Sequence, residues 1–342
     1  MFGAEFSELL LFGRQLGLAL AGAVSLWGFV FTKWSKHRAK EAASCVIYEW
    51  LGARLLFPLA AGFFIVLLSW FLLSFFVPAY AHEGIGIVAT EEQRSFAIEV
   101  ASPFIFLWML AFVGGFALRR LWPKLFQKHM EWFYALQLGF VVLLMVLFSW
   151  HGTLDKAQVF FWGHTLHSIL TVGTVLVLDF LFLTSKSSAI LKQHVYPLFP
   201  TVSKVIWVGL GIDFLSVAFI FQEAINLMPK FFFMQTVVGI LIVNGVLLAG
   251  PITRKMMTSV KEGGKQLAKK WERVGDVAGV ISISSWSTIT FVDFFANLSL
   301  TYLQFFSAYL SLIVLLFLGH LLWEYLEKEP PAILGLEQLN HL

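Results

Sequence analysis

The sequence predicts an all-α fold: a polytopic transmembrane helix bundle of about nine spans, with the N-terminus outside and the C-terminus inside. Three observations point there. Of the 342 residues, 58% are hydrophobic and only 13% are charged, where a soluble domain carries roughly a quarter charged residues. Nine apolar stretches are each long enough for a helix to cross about 30 Å of hydrocarbon. The loops between them alternate in Lys and Arg content, which sets orientation.

The stretches run near 12–32, 54–77, 102–118, 133–150, 158–183, 202–222, 231–250, 276–297 and 301–323. Helices rather than strands follow from their length and from the lack of alternating polarity. The eighth is the weakest, diluted by Ser282, Ser284, Ser285, Ser287, Thr288 and Thr290. Basic residues follow span one (Lys33, Lys36, Arg38, Lys40), span three (Arg119, Arg120, Lys124, Lys128), span five (Lys186, Lys192) and span seven (Arg254 through Arg273). The opposite loops hold Glu83, Glu91, Glu92 and Glu99, then Asp155, then Glu223. An outside N-terminus and nine spans satisfy this pattern. Glu5 and Glu8 stand where a cleavable signal would be basic, so the first span reads as an anchor.

A parallel repeat of four plus four spans, with one added, organises the chain on this reading. Gly13-Arg14-Gln15-Leu16 opens span one as Gly163-His164-Thr165-Leu166 opens span five, and Ser149-Trp150 in span four parallels Ser285-Trp286 in span eight. Residues 1–150 form the first half, with an acidic outer loop at 79–100. Residues 151–300 form the second half, with a basic inner loop at 253–275. Residues 301–342 supply the last helix and a short tail.

The 79–100 loop reads as a surface cap or a short interfacial helix. In 253–275, Met256, Met257, Val260, Leu267 and Trp271 alternate with lysines around Gly263-Gly264, which suits two short interfacial helices on anionic lipid headgroups. A homo-oligomer or a larger membrane complex fits the composition, whereas nucleic acid would need a soluble surface. Cys45 is the only cysteine, which excludes an internal disulfide and a thiolate metal cluster within the chain. No nucleotide loop, Ser/His/Asp order or zinc-protease motif supports hydrolase chemistry.

Function therefore falls to polar residues at membrane depth, which are costly there and face a bundle interior or a cavity. Span five carries His164 and His167, three residues apart and so on one helix face, with Asp179 near its inner end. Neutral imidazoles ligate transition metals and haem iron. Asp213 in span six, about level with His167, and Asp293 in span eight are the candidate metal partners, each equally suited to a simple interhelical hydrogen bond. His82, His151, Asp155 and Glu223 are candidates for an outer-face N/O-ligand site suited to copper, zinc or iron. His320, with Glu324 one turn on, reads as an interfacial helix end or as an inner-leaflet haem ligand. Arg14 reads as snorkelling to the headgroups.

The run Trp162-Gly163-His164-Thr165-Leu166-His167, then Lys204-Val205-Ile206-Trp207-Val208-Gly209, then Lys230 and Gly245, Pro251 and Arg254-Lys255, resembles the membrane domain of copper-resistance D-type proteins and related bacterial domains. The resemblance covers roughly residues 158–290. It implies an eight-helix-like bundle of the bacterial inner membrane, with buried histidines linked to copper uptake or haem-type redox functions. The chain departs from that pattern in lacking a methionine-rich outer segment, and its first half matches poorly. Three functions follow as expectations: transition-metal (copper-like) handling at His164 and His167, a b-type haem electron-transfer subunit using His164, His167 or His320, or a non-catalytic scaffold of a larger complex.

Overall fold

The computed structural model describes residues 4–37, 42–75, 91–148, 162–163, 165–185, 189–220, 229–261, 265–294 and 300–326. The helices are α1 (Ala4–His37), α2 (Ala42–Phe75), α3 (Glu91–Leu121), α4 (Pro123–Phe148), α5 (Thr174–Ser185), α6 (Ala189–Val195), α7 (Phe199–Ile220), α8 (Pro229–Leu247), α9 (Thr253–Lys261), α10 (Lys265–Phe294) and α11 (Tyr302–Leu326). Two π-helical segments, Ile169–Gly173 and Leu248–Ile252, lead into α5 and α9. No strand occurs among the described residues. Among the described residues, eight helical stretches are long and apolar enough to cross a membrane, which makes this a multi-pass membrane protein.

The expected eighth span forms a 30-residue helix, α10, but is not one of those eight. Its hydroxyls explain both facts. They lower its hydropathy, yet Ser284 and Ser285 are fully buried, and each donates back to the carbonyl four residues earlier, of Val280 and Ile281. A helix that satisfies its own polar side chains in this way can sit inside a bundle without facing lipid.

Several loops expected between spans are helix instead. The segment 91–100 is the start of α3 rather than a separate cap. The basic stretch 253–275 is likewise not a pair of independent interfacial helices. Its first part, α9, continues from α8 through the π segment, and its second part is the N-terminal third of α10. Lys and Arg stems lengthen a membrane helix cheaply, because their charged ends reach the headgroups. α3 and α4 reverse at Trp122-Pro123, where proline withholds the backbone donor a continuing helix needs. Trp108 on α3 donates from Nε1 to Gln137 Oε1 on α4 at 2.6 Å, symmetrically about that turn.

Helix packing in the first half rests on small residues, since lipid gives helices no hydrophobic reason to associate. A Cβ on Gly17 of α1 would lie 2.9 Å from the Gly62 carbonyl oxygen of α2, and one on Gly62 would lie 2.8 Å from the Ala21 nitrogen. The two backbones therefore touch. Gly28 lies under the ring of Tyr134 from α4, whose hydroxyl donates to the Gly52 carbonyl of α2 at 2.6 Å. One tyrosine thus ties three helices. Arg14 does not run free to the headgroups; its guanidinium stacks 4.4 Å from the Phe148 ring centre, between α1 and α4.

The halves share one core. Trp27 and Phe31 of α1, Trp108 of α3 and Tyr134 of α4 belong to the same buried cluster as Leu181 of α5 and Tyr196. Gly173 allows the contact, because a Cβ there would overlap the Ala19 carbonyl of α1. Charged ends that the loop pattern assigns to one face do meet. Lys36 pairs with Glu131 at 2.6 Å, Tyr48 packs edge-on against His194, and Lys192 pairs with Glu272 at 2.7 Å.

Candidate functional site

His167 sits in the last α-helical turn before the Ile169–Gly173 π segment. A π turn widens the ladder and displaces carbonyls from their usual donors, and such segments are frequent at functional sites. Here hydroxyls take up the slack. Thr171 Oγ1 donates to the His167 carbonyl at 2.7 Å, and Thr174 Oγ1 to the Ile169 carbonyl at 3.4 Å.

The His167 side chain is 5% exposed and turns toward α7. Its Nδ1 lies 3.0 Å from the Gly209 carbonyl oxygen. A carbonyl only accepts, so Nδ1 carries the proton, and in the neutral ring Nε2 holds the lone pair. The ring also lies 5.8 Å from the Trp286 ring of α10. Gly209 is what lets α7 come this close. A Cβ at that position would stand 2.6 Å from Thr171 Cγ2 and 3.0 Å from Leu170 Cβ.

Spans five and six therefore pack together as the sequence leads one to expect, with His167 Nδ1 on the Gly209 backbone carbonyl. Asp213 follows Gly209 by four residues, one helical turn further along α7. Asp293 lies at the end of α10, seven residues past Trp286. The side chains of Asp213 and Asp293 are outside what the structure describes. His82, His151, Asp155, His164 and Glu223 also lie outside the described residues. Among the described residues, no three His, Cys, Asp or Glu side chains converge on a point. Of the four candidate metal ligands, only His167 has a described side chain. Metal-ligating histidines characteristically donate their other ring N–H to a carbonyl or carboxylate, which fixes the ring and its tautomer.

His320 belongs elsewhere. Its Nε2 faces Asp276 Oδ2 of α10 at 3.5 Å, with both side chains largely buried. Sequence spacing suggested Glu324 as its neighbour; Asp276 was not singled out, since nothing in a single chain shows which helix α11 packs against. Gly209 was also missed as a partner, and its only sequence signal is a glycine facing a polar helix.

No family model matches the chain, and neither a curated protein nor a solved structure is significantly similar to it.

Proposed function

We propose that this chain is a multi-pass protein of the bacterial inner membrane, N-terminus outside, that holds a copper-like transition-metal cation at an intramembrane site built on His167. The observation that carries this reading is the Nδ1–H donation to the Gly209 carbonyl, which presents Nε2 as a ligand nitrogen from a buried, oriented ring. An imidazole buried only for packing gains from any partner. One locked by a carbonyl against a glycine, beside a π segment, is held in a single pose. His164 and Asp213 would complete the ligand set, with Asp293 as a further carboxylate. A histidine nitrogen with carboxylate oxygens is a donor set for copper, zinc or iron. The bound cation would supply Lewis acidity or redox capacity; the chain supplies a buried imidazole oriented by the Gly209 carbonyl.

The test is metal analysis of the purified full chain beside its thermal unfolding. His167→Leu, alone and with His164→Leu, is expected to remove stoichiometric metal while the protein stays folded. Unchanged metal content in a folded double variant would refute the proposal and leave the scaffold reading. A Soret band in the optical spectrum of the wild-type protein would replace it with the b-type haem reading.

A further inference from the structure

A second polar site lies about 18 Å further along the same span, twelve residues beyond His167 at 1.5 Å per residue. Here α5, α7, α8, α9 and α10 line a partly open cavity of about 80 Å³. Its origin is visible in the sequence of α10. Gly275 and Gly279 are one turn apart and both line it, so that stretch of α10 presents backbone where side chains would fill the space. From the opposite wall Asp179 projects into this gap, its Oδ1 lying 3.3 Å from where a Gly279 Cβ would be. Its Oδ2 is buried and has no hydrogen-bond partner among the described residues.

The surroundings define what is missing. Among the described residues no Lys, Arg or His lines the cavity. An uncompensated carboxylate in such a place costs several kcal/mol, by the general expense of burying charge. Protonation or a positive ligand removes that cost, and the lining bears on which. Three hydroxyls line the same space, from Ser203, Thr253 and Ser282. The Thr253 hydroxyl already donates to the Leu248 carbonyl at 2.5 Å, so it faces a ligand as an acceptor. The remaining wall is mostly hydrocarbon and the indoles of Trp207 and Trp286. Aromatic faces attract cations, whereas carbon walls serve a bare alkali ion poorly, because it draws its ligands from oxygen. Volume narrows the choice further. A cavity of roughly 150 Å³ holds benzene, so one of about half that size holds only two or three heavy atoms.

We propose that this cavity binds a small primary ammonium ion, ammonium or methylammonium in size, on the Asp179 carboxylate, with the Ser203, Thr253 and Ser282 hydroxyls and the Trp207 and Trp286 rings around it. The three N–H donors of such an ion match a carboxylate and hydroxyl acceptors, and a methyl group matches the apolar wall. The site shares Trp286 with the surroundings of His167, but its carboxylate is a different group from the His167 imidazole.

The experiment is thermal unfolding of the purified full chain in detergent, titrated with methylammonium chloride. Sodium chloride and tetramethylammonium chloride at equal ionic strength are the controls. Methylammonium is expected to raise the unfolding temperature saturably, because a ligand bound only by the folded state stabilises it. Sodium should not do so, nor should tetramethylammonium, which is too large and has no N–H. Asp179→Asn should abolish the shift. Gly245→Leu provides a second route: a Cβ there meets only Trp207, at 3.6 Å, so the side chain grows into the cavity while Asp179 stays in place. It too should lose the shift, and it decides the matter if the Asn variant does not fold. Equal responses to all three salts, or a shift that persists in either folded variant, would overturn the proposal. A stability that follows pH alone, with no response to methylammonium, would overturn it in favour of a proton site.

Discussion

Replacing Gly209 with alanine tests whether close approach of α7 holds His167 in place. The added Cβ would lie 2.6 Å from Thr171 Cγ2 and 3.0 Å from Leu170 Cβ, against about 3.5–4.0 Å for relaxed carbon contacts. Relief requires the helices to part by roughly 1 Å at this point, the shortfall from those contact distances. The Nδ1–carbonyl separation is 3.0 Å now, and such a movement takes it to about 4 Å, beyond hydrogen-bond range. Overpacking of this kind costs about 1–3 kcal/mol. A buried imidazole N–H left without its acceptor adds about 1–3 kcal/mol. A total near 2–4 kcal/mol is expected, because partial relaxation makes the two terms less than additive. Chemical unfolding in mixed micelles reads this loss, and metal content read on the same samples should fall with it. Thr171→Ser removes the clashing methyl and keeps the hydroxyl that caps the His167 carbonyl. The Thr171→Ser/Gly209→Ala pair should therefore recover roughly half of the loss, a coupling of at least about 1 kcal/mol in a double-mutant cycle. Gly209→Ala at wild-type stability, or a double variant that recovers nothing, would refute this account of the contact.

Tyr134→Phe removes the hydroxyl that reaches Gly52 across α2 and should cost about 1 kcal/mol by the same unfolding measurement, since the carbonyl retains its helical partner. Gly62→Leu is expected to prevent α1–α2 assembly, because its Cβ meets the Ala21 backbone, which cannot rotate away; size-exclusion chromatography should show aggregated rather than monodisperse protein. In a Cys45→Ser background, a cysteine from His82→Cys should react with a membrane-impermeant maleimide in intact cells. One from Lys255→Cys should react only after permeabilisation, and the reverse result would invert the orientation.

The sequence by itself determined that this is a helical membrane protein, and it placed the stretch 301–323 within a few residues of its helix, while 102–118 and 133–150 found helices that begin about ten residues earlier, at Glu91 and Pro123. These are local properties: hydropathy is summed along one segment, and a helix satisfies its backbone within itself. Candidate residues at depth were legible for the same reason, since a histidine at position 167 stands out in an apolar run whatever it touches. Partners were not legible. That His167 meets the Gly209 carbonyl, that His320 meets Asp276, and that Asp179 faces a gap left by Gly275 and Gly279 all depend on how each helix is rotated about its axis and how near its neighbour lies. The α10 helix shows the boundary between the two kinds of information. Its serines and threonines make it a poor span by composition, and only the bundle around it decides that they are buried and hydrogen-bonded to their own helix. Rotation and approach are set by glycines packing against specific side chains on other helices, an interaction between distant segments that no one-dimensional pattern contains.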